Sequence, residues 1–288
     1  MASKSPPSIS VAEVSTTVLS FGSLSRIGPQ TSSGATQSRG GTRLCSPLPP
    51  SLSQSTSDSA RAAIRSSTPE TPPYGAGELG VAFAQADRLG GTVYDLAARD
   101  DGSIDLLLAV PAGTGVDAAF ASIVLRDLYR RQGRAAEPAA RVSALLVDYD
   151  ASPLSREVEL LCAHFGADGT VRGVIAGLRA PVVIDAAGAW RDVALGAPLS
   201  LSARRLAAPL LPFECSLADG AFALFDDGLA PGAERRLPLA AALERIADRL
   251  VRRRQDPQSA AEDVVAEAVK RYKKRHSDDF FALIARSL

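Results

Sequence analysis

The sequence predicts an α+β domain in which antiparallel strands cluster into hairpins and pairs of helices are set between them. Three observations carry this expectation. From Glu78 onward, short apolar runs are punctuated by turn residues such as Asp100-Asp101-Gly102, Ala167-Asp168-Gly169 and Ala186-Ala187-Gly188. The run Val116–Arg131 carries Phe120, Ile123, Val124 and Leu128 at helical spacing. Strands and helices follow each other in groups, which argues against the regular alternation of a parallel sheet.

The 288 residues are 46% hydrophobic, enough to bury a sizeable core. Thirty-two Lys and Arg balance 32 Asp and Glu, so the total charge gives no reason to expect nucleic acid or an anionic membrane as partner. Cys45, Cys162 and Cys215 are scattered and form no C-x-x-C pair. That pattern supports neither a disulfide framework nor a zinc cluster and fits a reducing cytosol. No run reaches the roughly 20 apolar residues of a membrane-spanning helix.

Residues 1–77 are dominated by Ser, Thr, Pro and Gly, with no sustained apolar period. Such a segment buries too little to offset chain entropy, and it is expected to be a disordered tail. Its Ser-rich, acid-poor start is also the bias of an organelle transit peptide. The Ala, Arg and Leu content of the remainder is that of a GC-rich bacterial gene, so a start codon placed too far upstream is a third reading. A cytoplasmic location is expected first, with organelle targeting by residues 1–75 as the alternative.

Within residues 78–288, Leu79–Ala86, Thr92–Ala98 and Ile104–Val110 read as three strands joined by tight turns. Gly113-Thr114-Gly115 then opens the helix Val116–Arg131, and a second helix follows over Pro138–Asp148 with Pro138 in its first turn. Val158–Phe165, Thr170–Gly177, Val182–Asp185 and Trp190–Leu195 read as an antiparallel meander. Strands over Leu206–Phe213 and Ala221–Phe225 precede helices over Leu239–Arg253 and Ser259–Lys273, and Phe280–Ala285 is a closing strand.

Six segments, in one order, carry a family resemblance. Ala86-Asp87-Arg88-Leu89-Gly90-Gly91-Thr92-Val93-Tyr94-Asp95 is similar to A-x-x-x-G-G-D-F-Y-D. Val110-Pro111-Ala112-Gly113-Thr114-Gly115 stands at D-V-S-G-H-G, ahead of the same helix. Ala176-Gly177-Leu178-Arg179-Ala180-Pro181 is similar to A-G-H-P-P-P, and Gly196-Ala197-Pro198-Leu199 to G-x-P-L. Phe225-Asp226-Asp227-Gly228-Leu229 matches Y-T-D-G-L, and Asp278-Asp279 matches D-D-x-T. The chain thus resembles the PPM-type serine/threonine phosphatases of the stage II sporulation protein E-like branch.

That resemblance implies a four-layer αββα sandwich, two antiparallel sheets face to face with helices outside. It also implies two Mn2+ or Mg2+ ions held by carboxylates at the sheet ends, where a pair of ions ~4 Å apart activates a water for in-line attack on phosphate. The sequence departs from the pattern at the metal site. Thr92 stands at the aspartate of G-G-D, Val110 at the aspartate expected to bridge the ions, and Pro111 alters the backbone beside it. Asp227 and Asp278 remain as family ligands, with Asp95, Asp226 and Asp279 nearby as substitutes. A valine cannot bridge cations, and two ions between two carboxylates repel each other. One weakly held ion at Asp227 and Asp278 stays open, because waters can fill much of a Mg2+ shell.

Plainer readings stand beside these. Asp-Gly is a common turn signal, so Asp227 and Asp278 could be turn residues without metal. Gly113 and Gly115 could offer backbone N–H groups to phosphate at a helix start, or only begin the helix. His164 reads as a half-buried sheet histidine, because no partner has ligand spacing. His276 has the same lack, although it lies close to Asp278. The basic runs Arg252-Arg253-Arg254 and Lys270 to Arg275 read as solvated helix faces.

The resemblance then supports two functions, with a third behind them. One is a pseudophosphatase, non-catalytic and binding a phosphoprotein or regulatory protein partner. The other is an active metal-dependent phosphatase of phosphoserine and phosphothreonine proteins in sigma-factor partner switching. The third is a structural subunit that pairs with an active relative.

Overall fold

A computed structural model describes residues 70–86, 90–133, 137–193, 210–226, 239–271 and 279–288. The expectations for the tail up to residue 69, for the G-x-P-L segment 196–199, and for Asp227, Gly228, His276 and Asp278 lie outside these residues.

Among the described residues, ten strands fall into two sheets, and every pairing is antiparallel. The strands are β1 (Gly77–Ala84), β2 (Val93–Ala98), β3 (Ile104–Pro111), β4 (Val158–Phe165), β5 (Thr170–Ala176), β6 (Val182–Ile184), β7 (Trp190–Asp192), β8 (Leu211–Ser216), β9 (Ala221–Phe225) and β10 (Phe280–Ser287). One sheet runs β1-β10-β9-β6-β7 and the other β2-β3-β4-β5-β8. Four helices of the described residues accompany them: α1 (Val116–Arg131), α2 (Pro138–Asp150), α3 (Leu239–Ala247) and α4 (Pro257–Arg271). A π-helical turn, Asp248–Arg252, extends α3.

The period-two alternation of β3 explains the layering. Leu106 and Leu108 enter the core between the sheets, where they join Tyr94, Phe165, Phe222 and Phe281. Leu107 and Ala109 point the other way and meet Leu125 and Tyr129 of α1 and Val142 and Leu145 of α2. On the far side, Phe280, Ala282 and Ile284 of β10 pack against Leu243, Ile246 and Val264 of α3 and α4. A central strand with helices on one face and a sheet on the other is buried on both, which is why IDLLLAVP is nearly unbroken in apolar character. The expected four layers are therefore the observed ones.

Two local expectations are corrected. β1 does not join β2 in a three-stranded hairpin; it pairs with β10 along its whole length, from Gly77 opposite Ser287 to Ala84 opposite Phe280. After β1 the chain crosses to the other sheet, so only β2 and β3 form the hairpin around Asp100-Asp101-Gly102. The expected meander is likewise split. β4 and β5 pair, but β6 changes sheet and pairs with β7 and β9. Short-range turn signals report where a strand ends; they do not report which sheet receives the next one.

Packing begins ahead of Glu78. Tyr74 is buried, its ring stands edge-on to Phe165, and its hydroxyl donates to the Gly166 carbonyl at 2.9 Å. At the β1 edge, Gln258 of α4 takes the place of a neighbouring strand. Its Oε1 accepts the Val81 N–H at 2.9 Å and its Nε2 donates to the Val81 carbonyl at 2.9 Å. An edge closed in this way is a poorer template for a further strand.

Candidate functional site

Four strands bring the described parts of four resemblance-bearing segments to one end of the sandwich. β2 starts there, β3 ends there, β9 ends there and β10 starts there. Val93 pairs with Ala109, so Thr92, one residue before β2, lies at the same sheet end as Val110. Val110 and Pro111 pair with Glu159 and Val158 of β4. On the other sheet Asp226 follows β9 directly, is buried, and donates its backbone N–H to the Phe281 carbonyl at 3.3 Å. Asp279 immediately precedes β10.

Asp279 joins the two sheets. Its Oδ1 accepts the Ala86 N–H at 2.7 Å and its Oδ2 accepts the Thr92 N–H at 2.9 Å. These donors belong to the segment that crosses between sheets, where no strand neighbour is at hand to satisfy them. The close approach requires glycine at Gly90, because a Cβ there would overlap the Asp279 carboxylate. On the other side of the crossing, Ser122 of α1 donates its hydroxyl to the Gly91 carbonyl. The G-G pair is thus held between Asp279 and α1.

The loop after β3 is fixed from below. The Ala112 N–H donates to the Glu157 carbonyl at 2.7 Å, and Arg156 Nη1 donates to the Ala112 carbonyl at 3.1 Å. Gly113 and Gly115 adopt φ of 92° and 87°, a left-handed backbone that side-chain-bearing residues rarely take. α1 begins at the next residue, with Gly115 at its N-cap.

Asp95 is placed elsewhere. It projects from β2 toward the helices, is buried, and accepts Arg130 Nε at 3.0 Å together with the Arg130 Nη2. The structure therefore brings Thr92, Val110, Pro111, Asp226 and Asp279 together and sets Asp95 against α1. Among the described residues, no three acidic, histidine or cysteine side chains gather as a metal cluster. Val110 and Pro111 offer no side-chain oxygen, and both Asp279 oxygens already accept backbone N–H groups. The carboxylates that the described residues supply at this end are therefore Asp226 and Asp279, and a two-ion centre relies on carboxylates that bridge or flank both cations.

A second polar cluster went unread in the sequence. Asp105 of β3 is buried and accepts Arg99 Nε and Nη2, each at 2.9 Å, and Arg141 Nη1 at 2.8 Å, with His164 Nδ1 at 2.9 Å. Its signal was available: a lone acid inside an otherwise apolar strand must find cations or stay protonated. His164 lies directly opposite Asp105 in the β3–β4 pairing, in keeping with a half-buried sheet histidine.

Comparison with known proteins agrees with this architecture. The family model described as stage II sporulation protein E matches residues 100–287. The SiaA-PP2C domain of Pseudomonas aeruginosa superposes with a TM-score of 0.64 at 17% identity, over 82% of this chain and 97% of that one. The PP2C phosphatase domain and regulatory-domain fragment of SpoIIE from Bacillus subtilis gives 0.57 at 16% identity, over 73% and 61%. The RsbU and RsbW domains of a Mycobacterium tuberculosis protein give 0.57 at 20% identity, over 74% and 61%. The chain thus spans about three fifths of the length of the last two. No protein of curated function matches by sequence. With its family match covering well over half its length and its two-sheet fold shared with PP2C-type serine/threonine phosphatases, the chain belongs to the stage II sporulation protein E family.

Proposed function

We propose that this chain is a pseudophosphatase, a PPM-type domain that binds a phosphoprotein or regulatory protein partner and acts by occupancy. The carrying observation is Val110 beside Thr92 at the converging strand ends, with the neighbouring Asp279 occupied as a clasp. Two-ion phosphoryl hydrolysis needs a carboxylate that both neutralises the cations and orients the attacking water. An isopropyl group at Val110 does neither. The test is calorimetric titration of Mn2+ and of Mg2+ into the full chain, with an Asp227→Ala/Asp278→Ala variant as control and a phosphoserine peptide assay alongside. No binding at millimolar metal and no hydrolysis is the expected result. Two bound ions and metal-dependent hydrolysis, both lost in the variant, would overturn it.

A second reading rests on Asp226, buried at the same end and next in sequence to Asp227. Asp226, Asp227 and Asp278 together would hold Mn2+ or Mg2+ for an active phosphatase of phosphoserine and phosphothreonine proteins in sigma-factor partner switching. The ion would supply the charge that polarises phosphate, while Thr92 and the Gly113–Gly115 loop would position substrate. The same titration separates the two readings. Regulation by a separate protein and a cytoplasmic setting fit either.

A further inference from the structure

On the helix-facing side of β2, apart from the Thr92–Val110 end, a cavity of about 420 Å3 opens between the strand and the first helix pair. It is lined by β2 from Asp95 to Ala98 and by Tyr129, Arg130 and Arg141. Its size falls within the range of small-molecule sites, roughly 300–1,000 Å3. We propose that this cavity binds a small oxyanion, a phosphate monoester or a carboxylate, through Arg130 and Arg141.

Arg141 is the more buried of the two arginines. It is 3% exposed, its guanidinium carbon stands 4.1 Å from the Tyr129 ring centroid, and its Nη1 donates to Asp105. Its Nε is buried and has no hydrogen-bond partner among the described residues. Folded proteins seldom leave such a donor unsatisfied, because its desolvation is uncompensated. A ligand oxygen in the cavity would satisfy it.

Charge supports the same ligand class. Asp105 is shared by the guanidinium groups of Arg99 and Arg141, so one carboxylate answers two cations. Arg130 uses Nε and Nη2 on Asp95, and its half-exposed head leaves Nη1 for another acceptor. Arg126 adds to the field, and its guanidinium is pushed below its ordinary value by burial and by Arg130. Outside this set, Asp127 pairs with Arg131, and Asp101 lies on the exposed hairpin beyond Arg99. A guanidinium with its Nε unsatisfied and a second with Nη1 left over, beside an aromatic ring, suit an oxyanion better than a cation or an apolar molecule.

The experiment titrates adenosine monophosphate and, separately, succinate into the full chain by calorimetry, with two variants chosen to keep the fold. Arg141→Lys retains a cation for Asp105 and removes the Nε donor. Asp95→Asn/Arg130→Gln removes the second pair without leaving a buried charge alone. The expected result is binding of at least one probe, weakened by about tenfold or more in each variant. Which probe binds distinguishes phosphate from carboxylate recognition. Binding of neither probe at about 10 mM, or equal affinity in wild type and both variants, would overturn the proposal. If Arg141→Lys fails to fold, the double variant alone decides. The outcome is independent of metal binding at the Thr92–Val110 end.

Discussion

Asp279 holds Thr92 by its backbone: the Asp279 Oδ2 accepts the Thr92 N–H at 2.9 Å while Oδ1 takes that of Ala86 at 2.7 Å. One buried carboxylate thereby ties the start of β10 in one sheet to the segment that enters β2 in the other. Replacement by alanine strands two buried donors, so Asp279→Ala should cost about 2–4 kcal/mol, since bonds to charged groups contribute more than neutral ones. Asp279→Asn keeps one acceptor and should cost less. Urea unfolding of the three proteins checks the order. Equal midpoints would show that the clasp does not stabilise the fold.

Asp105 makes the larger prediction. Arg141 is almost wholly buried and Arg99 is less than a quarter exposed, so removing their shared carboxylate leaves two cations poorly compensated in a low-dielectric layer. Asp105→Ala should lose about 3–5 kcal/mol, the usual result of breaking one side of a buried ion pair. Arg99→Ala, at the more exposed rim, should lose clearly less. Thermal unfolding in parallel with circular dichroism reads both.

The two buried thiols set a pH dependence. Burial pushes Cys162 from its ordinary 9.0 up to about 11, with smaller opposing effects from the Tyr129 hydrogen bond and Arg141, and burial likewise pushes Cys215 up to about 11. A raised folded value means that the unfolded chain releases its protons first as pH rises. The stabilisation is therefore complete below pH 9 and is lost between pH 9 and about 11. The unfolding midpoint should fall across that window, and less so in Cys162→Ala/Cys215→Ala. At pH 8 both thiols should resist iodoacetamide in the folded protein and react in urea, because the thiolate is the nucleophile.

Local signals were legible where one segment settles its own structure. Val116–Arg131 forms a helix over the expected residues because its apolar spacing, the preceding glycines and the absence of an internal breaker agree. Ala221–Phe225 and Val158–Phe165 likewise follow from apolar runs between turns. The pairing of β1 with β10 was not legible, since no local property of Gly77–Ala84 names a partner some 200 residues away. The site divides in the same way. Residue order placed Thr92, Val110, Asp226 and Asp279 together, whereas the role of Asp279 as acceptor for Ala86 and Thr92 depends on a crossing between sheets. The Asp105 cluster draws its partners from β4, α2 and the hairpin after β2, so no single motif could announce it.

Placing carboxylates at Thr92 and Val110 gives the sharpest test of the proposed function. Thr92→Asp/Val110→Asp would place two new acids at adjacent sheet ends, next to Asp279 and Asp226. Without metal the double variant should be less stable than wild type, because like charges crowd a buried end and Val110 gives up its packing against the inter-sheet core. Mn2+ should reverse that loss. A ligand that binds only the folded state stabilises by RT ln(1 + [L]/Kd), so metal at ~100 times Kd adds about 2.7 kcal/mol, a rise in unfolding temperature easily resolved. Wild type should show no such rise. If wild type gains as much from Mn2+ as the variant, the native chain already holds the ion through Asp226, Asp227 and Asp278, and the active-phosphatase reading replaces the pseudophosphatase.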